Sequence, residues 1–271
     1  MTRIGVFDSG VGGLSVVAEL MAQLPAQPLI YVADQANAPY GQRSLAEIRE
    51  LSHGITRFLL SRGAHVIVIA CNTASAAALH WLRKQYPGVP FVGMEPAVKP
   101  AAERTRSRHV GVMATQATFQ GELFASLISR FGADVTVHTQ VCPALVPLVE
   151  AGELATDRAR AAVASYVTPL IDAGVDELVL GCTHYPFLRP LIEAVAGPGV
   201  EIIDPAPAVA RQVGRVLAHH NAQGAVEGMR YDFYTTGDPA TFTRSLRELL
   251  RLSHPAKQAA WTPRGLQISQ I

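Results

Sequence analysis

His65-Val66-Ile67-Val68-Ile69-Ala70-Cys71-Asn72-Thr73 and Asp176-Glu177-Leu178-Val179-Leu180-Gly181-Cys182-Thr183-His184 are near-matching stretches, one in each half of the chain. Each is a short aliphatic run of the kind that forms a strand buried on both faces of a parallel sheet. Each then passes through a small residue to cysteine and on to small polar residues, where a helix is expected to begin. Outward from these runs, strand-like and helix-like segments alternate, which defines an α/β chain with mostly parallel sheets. In the first half the pattern predicts strands at Arg3–Asp8, Pro28–Asp34, His65–Ala70 and Val89–Met94, with helices over Arg43–Ser61 and Thr73–Gln85. In the second half it predicts strands at His109–Ala114, Asp134–Thr139, Asp176–Gly181 and Val200–Asp204, with helices over Thr156–Ala173 and Tyr185–Ala196.

The two halves correspond beyond the cysteines. Ile4-Gly5-Val6-Phe7-Asp8-Ser9 matches Val110-Gly111-Val112-Met113-Ala114-Thr115, and Gly93-Met94-Glu95-Pro96-Ala97 matches Ile202-Ile203-Asp204-Pro205-Ala206. Asp8 precedes Cys71 by 63 positions and Ala114 precedes Cys182 by 68, a drift of the kind loop insertions produce. The expected architecture is two pseudo-symmetric α/β domains related by internal duplication, with the active site between them. Residues 1–97 plus 208–271 form the first domain, which carries Cys71, and 98–207 the second, which carries Cys182. The tail is predicted as a helix (Ala208–His220), a strand (Met229–Thr236), a Gly237–Pro239 turn and a helix (Ala240–Leu250), packed back on the first domain.

Composition narrows the function. Apolar residues make up 49% of the 271, enough for a full core, and 23 basic against 22 acidic residues leave a net charge of +1. No run of Lys and Arg points to nucleic acid or a membrane surface. The N-terminus enters a predicted strand at once, without a signal-peptide core, and no apolar stretch approaches the ~18 residues of a membrane span. The expected compartment is the cytoplasm, where three cysteines read as free thiols. No oligomeric state is legible, and a homodimer stays open.

Ligands of open α/β sheets collect at the carboxyl ends of the strands. There, Asp8-Ser9-Gly10-Val11-Gly12-Gly13 begins like a dinucleotide fingerprint, but Ser15 stands where its third glycine belongs. A tight glycine turn that brings backbone near a small ligand and aims Asp8 at it fits better. Tyr40, in Pro39-Tyr40-Gly41, offers a hydroxyl or serves equally as an aromatic lid. The two cysteines, each expected at a helix N-terminus, are the candidate acid/base groups, since the positive end of the macrodipole favours thiolate. A zinc site lacks its paired ligands, and no lysine has the setting of a pyridoxal Schiff base. Cys142 has no such context and reads as structural. His184 is placed to tune Cys182; Glu150 is either its acidic counterpart or a solvated helix-end carboxylate. Thr115 and Thr118 offer hydroxyls and helix-start amides to an anion. A Cys–His hydrolase using Cys182 leaves Cys71 idle, and a nucleotide-binding module is the non-catalytic alternative.

Taken together, Asp8-Ser9-Gly10-x-Gly-Gly, Pro39-Tyr40-Gly41, Cys71-Asn72-Thr73-Ala74 and Gly181-Cys182-Thr183-His184-Tyr185-Pro186 resemble the glutamate racemase family, over nearly the whole chain. The resemblance implies cofactor-independent interconversion of L- and D-glutamate for peptidoglycan synthesis, with aspartate racemisation the near neighbour. It implies Cys71 and Cys182 as the catalytic bases, assisted by Asp8, Glu150 and His184. It implies substrate contacts at Asp8, Ser9, Tyr40, Gly41, Asn72, Thr73, Thr115, Thr118, Thr183 and His184. Ala114 stands where many members carry glycine, which crowds that loop without removing a functional group.

Overall fold

The computed structural model describes residues 2–132, 134–219 and 231–269. The chain begins β1 (Arg3–Asp8), α1 (Leu14–Gln23), β2 (Leu29–Ala33), α2 (Leu45–Ser61), β3 (Ala64–Ile69), α3 (Asn72–Gln85) and β4 (Phe91–Gly93). It continues α4 (Val98–Arg104), β5 (His109–Ala114), α5 (Gln116–Gln120), α6 (Glu122–Phe131), β6 (Thr136–Val141), α7 (Leu145–Glu150), α8 (Asp157–Asp172), β7 (Glu177–Gly181), α9 (Arg189–Ala196) and β8 (Glu201–Ile203). It closes with α10 (Ala206–His219), β9 (Tyr231–Thr235), α11 (Pro239–Leu250), β10 (Ala256–Thr262) and β11 (Gly265–Ile268). The predicted His220 end of the tail helix and the Met229 start of the following strand lie outside the described residues.

Two sheets result, ordered β11-β10-β9-β2-β1-β3-β4 and β6-β5-β7-β8. The order β2-β1-β3-β4 in the first is repeated as β6-β5-β7-β8 in the second, strand for strand, and the pairing is parallel throughout except between β10 and β11. The fold is therefore α/β, with two pseudo-symmetric domains built on mostly parallel sheets. The cysteine strands sit second from one edge, each flanked by a strand on both sides. That position explains their unbroken aliphatic composition. Val66, Ile67, Val68 and Ile69 are all 1% exposed or less, and each fully buried side chain of this size contributes about 1.5–3 kcal/mol.

Helices cover both faces of the first sheet. Val16, Val17 and Leu20 of α1 join Val213 and Leu217 of α10 on one side, while Ile48, Ile55 and Leu59 of α2 join Ala78 and Leu82 of α3 on the other. Helix α2 starts two residues later than predicted. Ser44 accepts from the Glu47 N–H while the Glu47 carboxylate accepts from the Ser44 N–H, a capping box that fixes the start. The hairpin of β10 and β11 is absent from the sequence-based expectation and extends the first sheet at its edge. Strand β6 lies two residues beyond its predicted start, and its half-exposed residues lack the apolar run that would have fixed its register.

Candidate active site

Asp8 ends β1 with no solvent exposure. Its Oδ1 accepts from the Gly10 N–H at 2.7 Å, and its Oδ2 accepts from the Thr183 hydroxyl of the second unit at 3.0 Å. Burial pushes its pKa up to about 6, against the pull of His184 and the Gly10 amide. The glycine turn after it packs against the second unit. A Cβ on Gly10 would run into the Glu150 carboxylate, and one on Gly12 would meet the His184 ring and lie 2.6 Å from Thr183 Oγ1. Through this turn Val11 N–H donates to Glu150 Oε1 at 2.7 Å, and Ser15 Oγ lies 3.1 Å from the Thr183 carbonyl oxygen. The glycines thus serve close approach between the two units. Asp8 is aimed across that seam at Thr183, and Ser9 is the member of the loop that lines the cavity.

Cys71 is the N-cap of α3, extended at φ −124° and ψ 120°, and its Sγ accepts from the Ala74 N–H at 3.4 Å. The expectation that this helix start favours thiolate is not met. Burial first, and the Asp8 carboxylate second, push the thiol well up, and the Ala74 amide only partly offsets them. Cys182 follows Gly181 of β7, but no α-helix begins there. Tyr185–Leu188 forms a 3-10 turn, and α9 waits until Arg189. Pro190 has no N–H to bond the Pro186 carbonyl in a continuous helix, which accounts for the delay.

A hydrogen-bonded pair supports Cys182 instead. His184 Nδ1 stands 3.7 Å from Cys182 Sγ, and His184 Nε2 stands 2.7 Å from Glu150 Oε1. Burial disfavours charge on His184, yet hydrogen bonds to Cys182 and Glu150 outweigh it and hold the imidazole well above its ordinary range. Burial works against the Glu150 carboxylate as well. Bonds from His184, Gln35 and Val11 nonetheless hold it below the usual carboxylate range. Glu150 is therefore no solvated helix end.

Both thiols line one cavity of about 90 Å³, together with Ser9, Tyr40, Gly41, Asn72, Thr73, Thr115, Thr183 and His184. Asp8, Glu150 and Thr118 stand behind that wall. Thr73 Oγ1 lies 2.8 Å from Thr115 Oγ1 and 3.3 Å from Thr118 Oγ1, and the last two are 2.9 Å apart, so one group of hydroxyls joins both units. Asn72 is 3% exposed and both polar atoms of its amide lack a partner. A buried unpaired amide costs about 1–3 kcal/mol, and here it borders the cavity. Tyr40 also borders it, but its hydroxyl donates to Asp34 at 2.6 Å rather than inward. Cys142 lines the cavity too, its thiol donating to the Gln140 carbonyl at 3.4 Å.

Gln35, Tyr31 and Ser15 were not singled out from the sequence. Tyr31 donates to the Gly10 carbonyl at 2.6 Å, and Gln35 Nε2 donates to Glu150 Oε2 at 2.9 Å. Nothing in their local spacing distinguishes them; the fold of the first unit brings Tyr31 to Gly10, and the pairing of units brings Gln35 to Glu150 and Ser15 to Thr183. Among the described residues no three His, Cys, Asp or Glu side chains converge as metal ligands, and no helix is long and apolar enough to cross a membrane.

A small cavity walled by thiols and hydroxyls, between paired α/β units, is the setting of an acid/base enzyme acting on a small polar molecule. The family is defined by comparison: a sequence model of the Asp/Glu/Hydantoin racemase family matches residues 4–213, and the chain belongs to that family. A glutamate racemase of Herpetosiphon aurantiacus is 52% identical over 255 residues, covering 92% of this chain and 98% of that protein. The crystal structure of a glutamate racemase isoform from Bacillus anthracis superposes with a TM-score of 0.85 at 31% identity, covering 95% of this chain and 97% of that one. That of Francisella tularensis glutamate racemase in complex with D-glutamate gives 0.83 at 29% identity, covering 96% and 97%.

Proposed function

We propose that the protein interconverts L- and D-glutamate by two-base proton transfer, Cys71 serving one face of the α-carbon and Cys182 the other. The observation that carries this reading is that thiols from two equivalent strand ends, in two different units, line one cavity. Racemisation removes the α-proton from one face and returns a proton to the opposite face. A single base tends to return it where it came from, so opposed bases are the natural solution, with roles exchanged for the other enantiomer. Each contributes general acid/base catalysis of about 10²–10⁴-fold.

The remaining acceleration comes from orientation and from stabilising the carbanion. Among the described residues lining the cavity there is no lysine or arginine. Two substrate carboxylates are then met by the Thr73, Thr115 and Thr183 hydroxyls, the unpaired Asn72 amide and the amides at the start of α3. Cys71 at rest is a thiol. The substrate's α-ammonium, entering beside it, supplies the positive charge that favours its ionisation. Asp8 assists the Cys71 side, and the Glu150–His184 pair the Cys182 side. We assign the domain boundaries to 97/98 and 207/208, the second within the first turn of α10: α4 packs on β5 and β7, and α10 on α1 and β4. The D-glutamate formed is assigned to peptidoglycan synthesis in the cytoplasm, a role that follows from the family resemblance.

Circular dichroism of L-glutamate incubated with the protein and no added cofactor tests the activity. The wild-type signal is expected to decay to zero. Cys71→Ala and Cys182→Ala are each expected to lose steady-state racemisation in both directions, by about 10³-fold or more. Near-wild-type turnover in either variant contradicts the two-base scheme.

A further inference from the structure

A line of hydrogen bonds reaches the Cys182 side of the cavity from the opposite unit. Gly237 N–H donates to Thr235 Oγ1 at 2.9 Å, Thr235 Oγ1 donates to Gln35 Oε1 at 2.8 Å, and Gln35 Nε2 donates to Glu150 Oε2 at 2.9 Å. Glu150 Oε1 then meets His184 Nε2 at 2.7 Å, and His184 Nδ1 stands 3.7 Å from Cys182 Sγ. The polarity of this line is fixed at its carboxylate end. An ionised carboxylate only accepts, so the Gln35 amino group faces Glu150 and its carbonyl oxygen takes the Thr235 hydrogen, while Thr235 Oγ1 accepts from the Gly237 N–H. Turned over, the amide would set its oxygen against a carboxylate oxygen.

Glu150 has need of such a donor. It is the last residue of α7, where the negative end of the helix disfavours a carboxylate. Its Oε1 already serves Val11 N–H and His184, which leaves Oε2 to Gln35. Gln35 itself does not line the cavity. We propose that Gln35, anchored by Thr235, is a positioning residue for the Cys182 side, holding the Glu150 carboxylate in the orientation that aims His184 at the thiol. The proposal rests on Cys182 acting as one of the two bases.

The titratable groups facing Glu150 are His184, Asp8 and Tyr31. Removing the Gln35 donor leaves the repulsion of Asp8 in place and raises the pH at which Glu150 ionises. Gln35→Leu and Gln35→Glu, made in the full chain, are compared with wild type by kcat and KM in both directions and by the pH profile of kcat/KM. Gln35→Leu is expected to lower kcat about tenfold with KM within about twofold, because no substrate contact is lost. Mirror-image substrates have an equilibrium constant of one, so kcat/KM falls equally in both directions. The acid limb of the profile moves up by about half to one pH unit. Gln35→Glu is expected to fall further at about pH 8 and to recover as pH drops, when the two carboxyls share a proton. Wild-type kcat and pH profile in both variants, or a loss confined to thermal stability, overturns the proposal. Turnover retained by Cys182→Ala, assayed alongside, instead defeats the two-base reading on which it rests.

Discussion

Asp8 holds a fully buried carboxyl group, with one backbone amide and two hydroxyls as its partners. Its displacement from 3.8 to about 6 corresponds to about 3 kcal/mol at 1.36 kcal/mol per decade. The folded chain binds the Asp8 proton more tightly than the unfolded chain does, so stability falls as pH rises from about 4 to about 6, and the full cost persists above that. Asp8→Asn keeps an acceptor for the Gly10 N–H and removes the charge. The stability gap between this variant and wild type, measured by urea denaturation, is expected to widen in the variant's favour by about 1 kcal/mol between pH ~5 and pH ~7.5. A gap that stays constant over that interval would show that Asp8 is not the group responsible. Loss of racemisation by the same variant would mark the buried charge as a stability cost retained for catalysis.

At the scale of the element, what the sequence made legible was what burial dictates. The aliphatic runs of β1, β3, β5 and β7 lie in sheet interiors, and no other periodicity suits residues excluded from water on both faces. The edges carried less signal. In Ala256–Thr262 only Ala259 is buried, so the sequence offered no run to read as the start of the C-terminal hairpin. Cys71 sits at a helix start as its local sequence implied. Cys182 does not, because the 3-10 segment Tyr185–Leu188 stands between it and α9. The motif residues lining the cavity were legible because each follows a strand. Their partners were not: His184 and Glu150 are 34 positions apart, and Gln35 lies a further 115 from Glu150. The fold of the second unit brings His184 to Glu150, and only the pairing of the two units brings Gln35 to them.

The whole molecule depends on how closely those units approach. The apolar cluster that includes Ile4 and Val6 of β1 continues through Met113 and Leu180 into the second sheet, and the glycine turn meets Glu150 and His184 at the same seam. Gly10→Ala is expected to displace the Glu150 carboxylate, break its bond from Val11, lower kcat/KM at least about tenfold and cost about 1–3 kcal/mol of stability. Unchanged kinetics and denaturation midpoint would mean that the seam yields without consequence. The central claim is that a proton leaves one face of the substrate and a different one arrives at the other. Mass spectrometry of both enantiomers, early in the reaction of L-glutamate with wild-type enzyme in D₂O, addresses it most directly. Deuterium at the α-carbon of the D-product, with the remaining L-substrate still carrying hydrogen, is the predicted result. Product that retains the original hydrogen, or label entering both enantiomers at equal rates, would contradict it.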